Sequence, residues 1–133
     1  MSDAQELRVQ PQDLVAEQSV LGSIFIAPDK LISVREYIEA DEFYKYAHRV
    51  IFKAMISLND KNEAIDATTV RAILDSQGDL QNIGGLSYLA ELVSSVPTSA
   101  NAEYYAQIVA EKAMLRRIIS RLTETVNEAY EGS

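Results

Sequence analysis

His48 is the only histidine in the 133-residue chain, and it stands one helical turn from both Tyr44 and Phe52. A lone imidazole works as a general acid or base when a neighbouring carboxylate orients it. The sequence offers no such partner at helical spacing, so a packed structural histidine is expected. Glu36, Glu39, Asp41 and Glu42 gather negative charge near a helix junction. Their spacing is not that of an EF-hand loop, and a solvated cap region is the expectation. Arg116, Arg117 and Arg121 form a basic run suited to phosphates or to an acidic partner. The plainer reading is a solvated helix flank pairing with Glu111, Glu124 or a neighbouring chain.

Gly84 and Gly85 precede a helix, where backbone amides can meet an anion. No lysine follows a glycine anywhere and no G-x-x-x-x-G-K-[ST] occurs, so the doublet reads as turn chemistry and not as a P-loop. The absence of cysteine removes thiolate nucleophiles, disulfides and cysteine-bound zinc. These pieces assemble no active site. The chain reads as non-enzymatic, with no cofactor and no metal of its own.

Twelve basic residues against twenty acidic ones leave a formal charge of −8. A domain that grips phosphates usually carries the opposite sign, so direct nucleic-acid binding by these residues is disfavoured. No apolar run reaches the length of a membrane span, and the leader "MSDAQELRVQPQ" lacks a signal-peptide core. A cytoplasmic protein with no membrane contact is the expectation.

The elements that would hold these side chains are helical throughout. After a flexible leader over residues 1–10, Asp13 or Gln12 opens a helix carrying Leu14, Leu21, Ile24 and Phe25, closed by Pro28. Gly22 and Ser23 inside it allow another backbone to come close. A second helix is expected over Asp29 to Ile38, and a third from Phe43 to Leu58, with Ala47, His48, Ile51, Phe52 and Met55 on its inner face. Asp66 is a good N-cap for a fourth helix ending near Gly78, and a fifth spans about Leu86 to Val96, stopped by Pro97. No segment alternates as a strand does. The fold class is all-α: a compact head of about five helices over residues 11–98, followed by a long arm over residues 99–133.

That arm carries a signal of its own. Ser99 or Asn101 can start it, and no proline or glycine interrupts it before Gly132. Tyr105, Ile108, Leu115, Ile119, Leu122, Val126 and Ala129 fall on a and d positions of a heptad, with Lys112 the one break. Tyr104, Val109 and Ile118 widen the apolar surface beside that seam. A helix of this length runs roughly 45 Å, too far for so small a head to cover. The periodicity asks for a partner helix that the sequence does not contain.

The blocks "PQDLVAEQSVLGSIF", "DEFYKYAHRVIFKAM", "IDATTV" and "IGGLSYLAELVSSVPTSANAEYYAQIVAEKAMLRRII" occur in this order. Together they resemble the N-terminal domain of the bacterial replicative DNA helicase, the DnaB family, from Pro11 onward. The resemblance implies a collar domain of a ring-shaped homohexamer that unwinds duplex DNA 5′ to 3′. In such proteins a helical head is followed by an α-hairpin, and hairpins pair between subunits into a trimer of dimers. ATP and magnesium would belong to a RecA-like motor domain outside this chain, which would also carry the contacts with single-stranded DNA. The partners implied are further copies of the same protein, the C-terminal helicase-binding domain of primase, and a helicase loader. Only the first arm of the hairpin is present, as in a piece of a longer protein.

Carried onto this sequence, the resemblance and the seam together assign collar assembly to Tyr104, Tyr105, Ile108, Leu115, Ile118, Leu122 and Val126. Tyr88 and Ile119 match family positions near the primase interface, and Thr125 lies one to two turns beyond. Two alternatives stand beside this reading. One is a free-standing helical adaptor or loader-type protein-binding module; the other is single-strand DNA binding through Arg116, Arg117 and Arg121.

Overall fold

The computed structural model describes residues 9–132, and the expected leader lies outside the described residues for residues 1–8. Six α-helices make up the fold among the described residues: α1 (Leu14–Ile26), α2 (Lys30–Val34), α3 (Tyr46–Asp60), α4 (Ala67–Gln77), α5 (Gly85–Val93) and α6 (Ala102–Glu131). Short 3₁₀ turns at Ala40–Glu42 and Gln81–Ile83 join them. The expected all-α head and long arm are both present.

Helix α1 is the central element. Asp13 caps it, its side chain accepting from the Ala16 amide at 2.9 Å, which satisfies one of the free donors at a helix start. The helix packs on α5, α3, α2 and most extensively on α6. Val20, Leu21 and Ile24 on it are fully buried. Gly22 is where α5 presses in: a Cβ there would stand 2.6 Å from the Leu92 carbonyl oxygen. Only a residue without a side chain lets the two backbones meet at that distance.

Helix α4 begins and ends as its residues predict. Asp66 and Thr69 form a reciprocal capping box, and Gly78 closes the helix in the left-handed region at φ +78°. Three other boundaries differ. The helix expected over Asp29–Ile38 stops at Val34, because the Glu42 carboxylate takes the Glu39 amide at 2.8 Å and starts a new turn. The helix expected from Phe43 starts at Tyr46, because the amides of Tyr44 and Lys45 are held by the carboxylate of Glu17. The helix expected to reach Val96 ends at Val93. There the hydroxyls of Ser94 and Ser95 donate back to the carbonyls of Ala90, Glu91 and Leu92 and compete with further helix.

Helix α6 has two halves. Its root buries Ala102, Ala106, Val109 and Ala113, a stripe of small residues that packs on α1 and α2. Past Ala113 no residue of the helix is buried. Asn101 stands at the N-cap position as expected, but its side chain makes no capping bond.

Candidate functional site: a buried triad, an arm root and a bare helix face

Glu17 is the only charged residue in the apolar run Leu14–Ile26, and it is 1% exposed. A carboxylate in such a place must be matched by donors. It has three: the Tyr44 amide at 2.7 Å, the Lys45 amide at 3.3 Å and the Nδ1 of His48 at 2.7 Å. The first two come from the segment that leads into α3, where free amides favour negative charge. His48 is completely buried, and its Nε2 lies 2.6 Å from the Tyr88 hydroxyl on α5. Since a carboxylate only accepts, Nδ1 donates to Glu17, and Nε2 and the Tyr88 hydroxyl form the second bond of the ring. Gln18 Nε2 then donates to the Tyr88 oxygen at 3.4 Å. No buried side-chain nitrogen or oxygen among the described residues lacks a partner.

The expectation that His48 has no carboxylate partner is therefore corrected, while its packed, structural character stands. The pair is 31 residues apart in sequence, which helical spacing cannot reveal. In form Glu17, His48 and Tyr88 resemble a proton relay. With the imidazole fully enclosed and both its nitrogens taken, no substrate atom can reach it, and the geometry supplies no acid–base chemistry.

Tyr88 is the one member that meets solvent. It lines a shallow cleft of about 490 Å³ with Gly84, Ser87, Ala90, Glu91 and Ser94. The Lys45 ammonium sits 4.3 Å from its ring centroid, and the His48 ring stacks near-parallel at 6.0 Å. Gly84 and Gly85 both have positive φ, +107° and +73°, so the doublet forms the turn ahead of α5.

The basic run on α6 is a solvated flank only in part: Arg121 is exposed as expected, whereas Arg116 and Arg117 bond to the head and not to Glu111 or Glu124. Arg116 donates to the Pro11 carbonyl at 2.7 Å and the Glu42 carbonyl at 2.6 Å, and lies over the Tyr44 ring. Burial pushes its guanidinium below the ordinary arginine range, an effect the charges of Glu17 and Tyr44 oppose. Arg117 pairs with the Glu42 carboxylate at 2.9 Å. Glu42 thus leaves the expected acidic cluster to join the arm to the head. Among the described residues no group of three or more acidic or histidine side chains is placed to hold a metal. No described helix is long and apolar enough to cross a membrane.

The residues assigned to assembly divide along α6. Tyr105 and Ile108 are partly buried against the core, and Tyr104 is exposed, its ring edge-on to Tyr105 at 5.9 Å. Leu115, Ile118, Ile119, Leu122 and Val126 are all exposed, Leu122 by 60%. Of those assigned to primase, Tyr88 lies on α5, whereas Ile119 and Thr125 lie on the bare stretch of α6. No hydrogen bond joins Tyr88 to either among the described residues, and the Thr125 hydroxyl bonds back to the Arg121 carbonyl.

Comparison with known proteins places this geometry. A family model described as the DnaB-like helicase N terminal domain matches residues 9–111. The replicative DNA helicase DnaB of Geobacillus stearothermophilus is 45% identical over 130 residues, which cover 98% of this chain and 29% of that protein. The chain thus spans under a third of that relative's length. Among solved structures, the N-terminal domain of DnaB helicase from Mycobacterium tuberculosis matches with a TM-score of 0.91 and 47% identity. That match covers 94% of this chain and 87% of the other. A DnaB-like replicative helicase described with its interactions with primase matches at 0.75 and 28% identity, covering 89% of this chain and 28% of that one.

Proposed function

The chain belongs to the family of DnaB-like helicase N-terminal domains, and we propose that it acts as a non-catalytic collar: it joins subunits of a replicative helicase and receives primase. The observation that carries the proposal is the bare face of α6 past Ala113. Five large apolar side chains, from Leu115 to Val126, stand exposed along one helix, and none of them belongs to the core of the head. An isolated helix with such a face is stabilised mainly by packing against another element. In a hexamer, the second arm of a hairpin and the arms of neighbouring subunits supply that cover, arranged as a trimer of dimers. Tyr104 sits at the foot of the arm, free to meet the same neighbour.

The similar helicase described with primase supports the second half of the reading. Tyr88, Ile119 and Thr125 form the docking residues, and contacts with a helicase loader use the same collar. Unwinding of duplex DNA, with ATP and magnesium, belongs in this proposal to a motor domain outside residues 1–133. Single-stranded DNA is likewise the motor's partner. Arg116 and Arg117 bond to head carbonyls and to Glu42, so of that run Arg121 alone has no bond to the head among the described residues.

Calorimetric titration with the helicase-binding domain of a primase tests this. Ile119→Glu is expected to weaken binding by about tenfold or more while the circular dichroism and melting of the head stay unchanged. Unaltered affinity removes Ile119 from the docking face.

A further inference from the structure

We propose that Glu17 and His48 are positioning residues that fix the Tyr88 ring at the docking surface, so that a buried ion-bearing chain sets the shape of an exposed contact. The inference rests on the reading of Tyr88 as a docking residue and adds what holds it there. Four features converge on this one side chain. His48 Nε2 bonds with its hydroxyl at 2.6 Å, Lys45 lies over its ring, and Gln18 donates to its oxygen. Beneath it, a Cβ at Gly84 would stand 2.9 Å from the Tyr88 Cβ, so the left-handed glycine gives the residue its room.

The bonds that tie α1 to α3 inside the head continue outward to Tyr88. A buried carboxylate is costly unless every donor around it is placed, and apolar groups could fill the same space, so the polar chain has room for a use beyond packing. The chain of bonds supplies one, because its far end is the only part that reaches solvent. Glu17 is fixed by two backbone amides, it fixes the imidazole, and the imidazole fixes the phenol. A partner meeting a ring already held in one rotamer loses less side-chain freedom on binding.

The test uses this chain and the isolated helicase-binding domain of a primase. Tyr88→Ala, Tyr88→Phe, His48→Phe and the double variant Tyr88→Phe/His48→Phe are titrated by calorimetry at a temperature where circular dichroism shows each to be folded. His48→Gln serves as a conservative rescue, since its amide can donate to Glu17 and accept from Tyr88. Tyr88→Ala is expected to weaken binding most. Tyr88→Phe and His48→Phe each weaken it by about fivefold, the double variant weakens it no further, and His48→Gln recovers most of the loss. Should His48→Phe not fold, Tyr88→Phe alone carries the comparison, because it keeps the ring and cuts the same tether. Wild-type affinity in Tyr88→Phe, with Tyr88→Ala still impaired, overturns the positioning role. Wild-type affinity in Tyr88→Ala overturns the docking reading itself. Three-bond couplings of the Tyr88 side chain, measured without partner, separate the two failures. A single rotamer in the wild type that averages in Tyr88→Phe supports positioning whatever binds there, and averaging already in the wild type overturns it.

Discussion

The carboxylate of Glu17 and the Nδ1 of His48 meet at 2.7 Å in a place where neither side chain is more than 2% exposed. Helix α1 supplies one and helix α3 the other, so the contact ties the two elements at the centre of the head. The amides of Tyr44 and Lys45 close on the same carboxylate and set where α3 begins.

Removal of that carboxylate leaves three donors facing an apolar space. Glu17→Ala is expected to cost about 3 kcal/mol of unfolding free energy, at the upper end for a single change. Urea denaturation followed by far-ultraviolet circular dichroism measures it. A loss below about 0.5 kcal/mol contradicts the network's role in the fold.

Gly22→Ala drives a methyl group against the backbone of Leu92 and the side chain of Ser95. Neither helix can yield without losing contact elsewhere, and the expected destabilisation is about 1–3 kcal/mol. The same denaturation experiment reads it, with wild-type stability as the contrary result.

Arg116→Met keeps an unbranched apolar stem and removes the two bonds to the Pro11 and Glu42 carbonyls. The root of α6 should open more often while the rest of the head does not. Amide hydrogen exchange is expected to speed up about tenfold between Ala106 and Arg116 and to stay unchanged in α4. Uniform acceleration, or none, contradicts a local fastening.

Glu103 lies in the first turn of α6, where its own backbone amide and then the Lys30 ammonium at 3.2 Å hold its carboxyl below the ordinary glutamate range. A lowered acid favours the folded state above its unfolded value and loses that effect as pH falls through the folded one. The Glu103→Gln variant should therefore lose stability near neutral pH by a small amount and converge with the wild type in acid. A carbon-detected titration of the Glu103 carboxyl, showing an ordinary midpoint, contradicts the assignment.

Leu122→Glu and Val126→Glu change exposed side chains outside the core, so melting should be unaltered while self-association of the arm falls. Sedimentation velocity at several concentrations distinguishes the two effects. Equal association in wild type and variants contradicts the seam.

Local rules made much of the fold legible. Asp66 and Gly78 bound α4 because capping and left-handed closure depend on residues within one turn. The arm showed itself because its heptad repeats inside a single helix. What escaped was non-local: Glu17 meets His48 across 31 positions, His48 meets Tyr88 across 40, and Arg116 reaches back 105 to Pro11. One signal was present all the same. A solitary glutamate inside a thirteen-residue helix that is apolar on nearly every side has to be partnered, and the chain's single histidine was the natural candidate.

The stripe Ala102, Ala106, Val109 and Ala113 gives the arm a mechanical property as well as a place to sit. Beyond Arg117, the last residue bonded to the head, the helix runs on to Glu131 for roughly 21 Å at about 1.5 Å per residue. A tilt of about ten degrees at its base carries the tip roughly 4 Å sideways, nearly half of the 8–10 Å that separates two packed helices. A swing of that size draws the knobs of a heptad seam out of their holes. Small side chains at the base keep the two backbones close and leave little play, as a short stiff bearing does for a long lever. In the collar proposed above, accuracy far out on the arm therefore rests on alanines buried against the head.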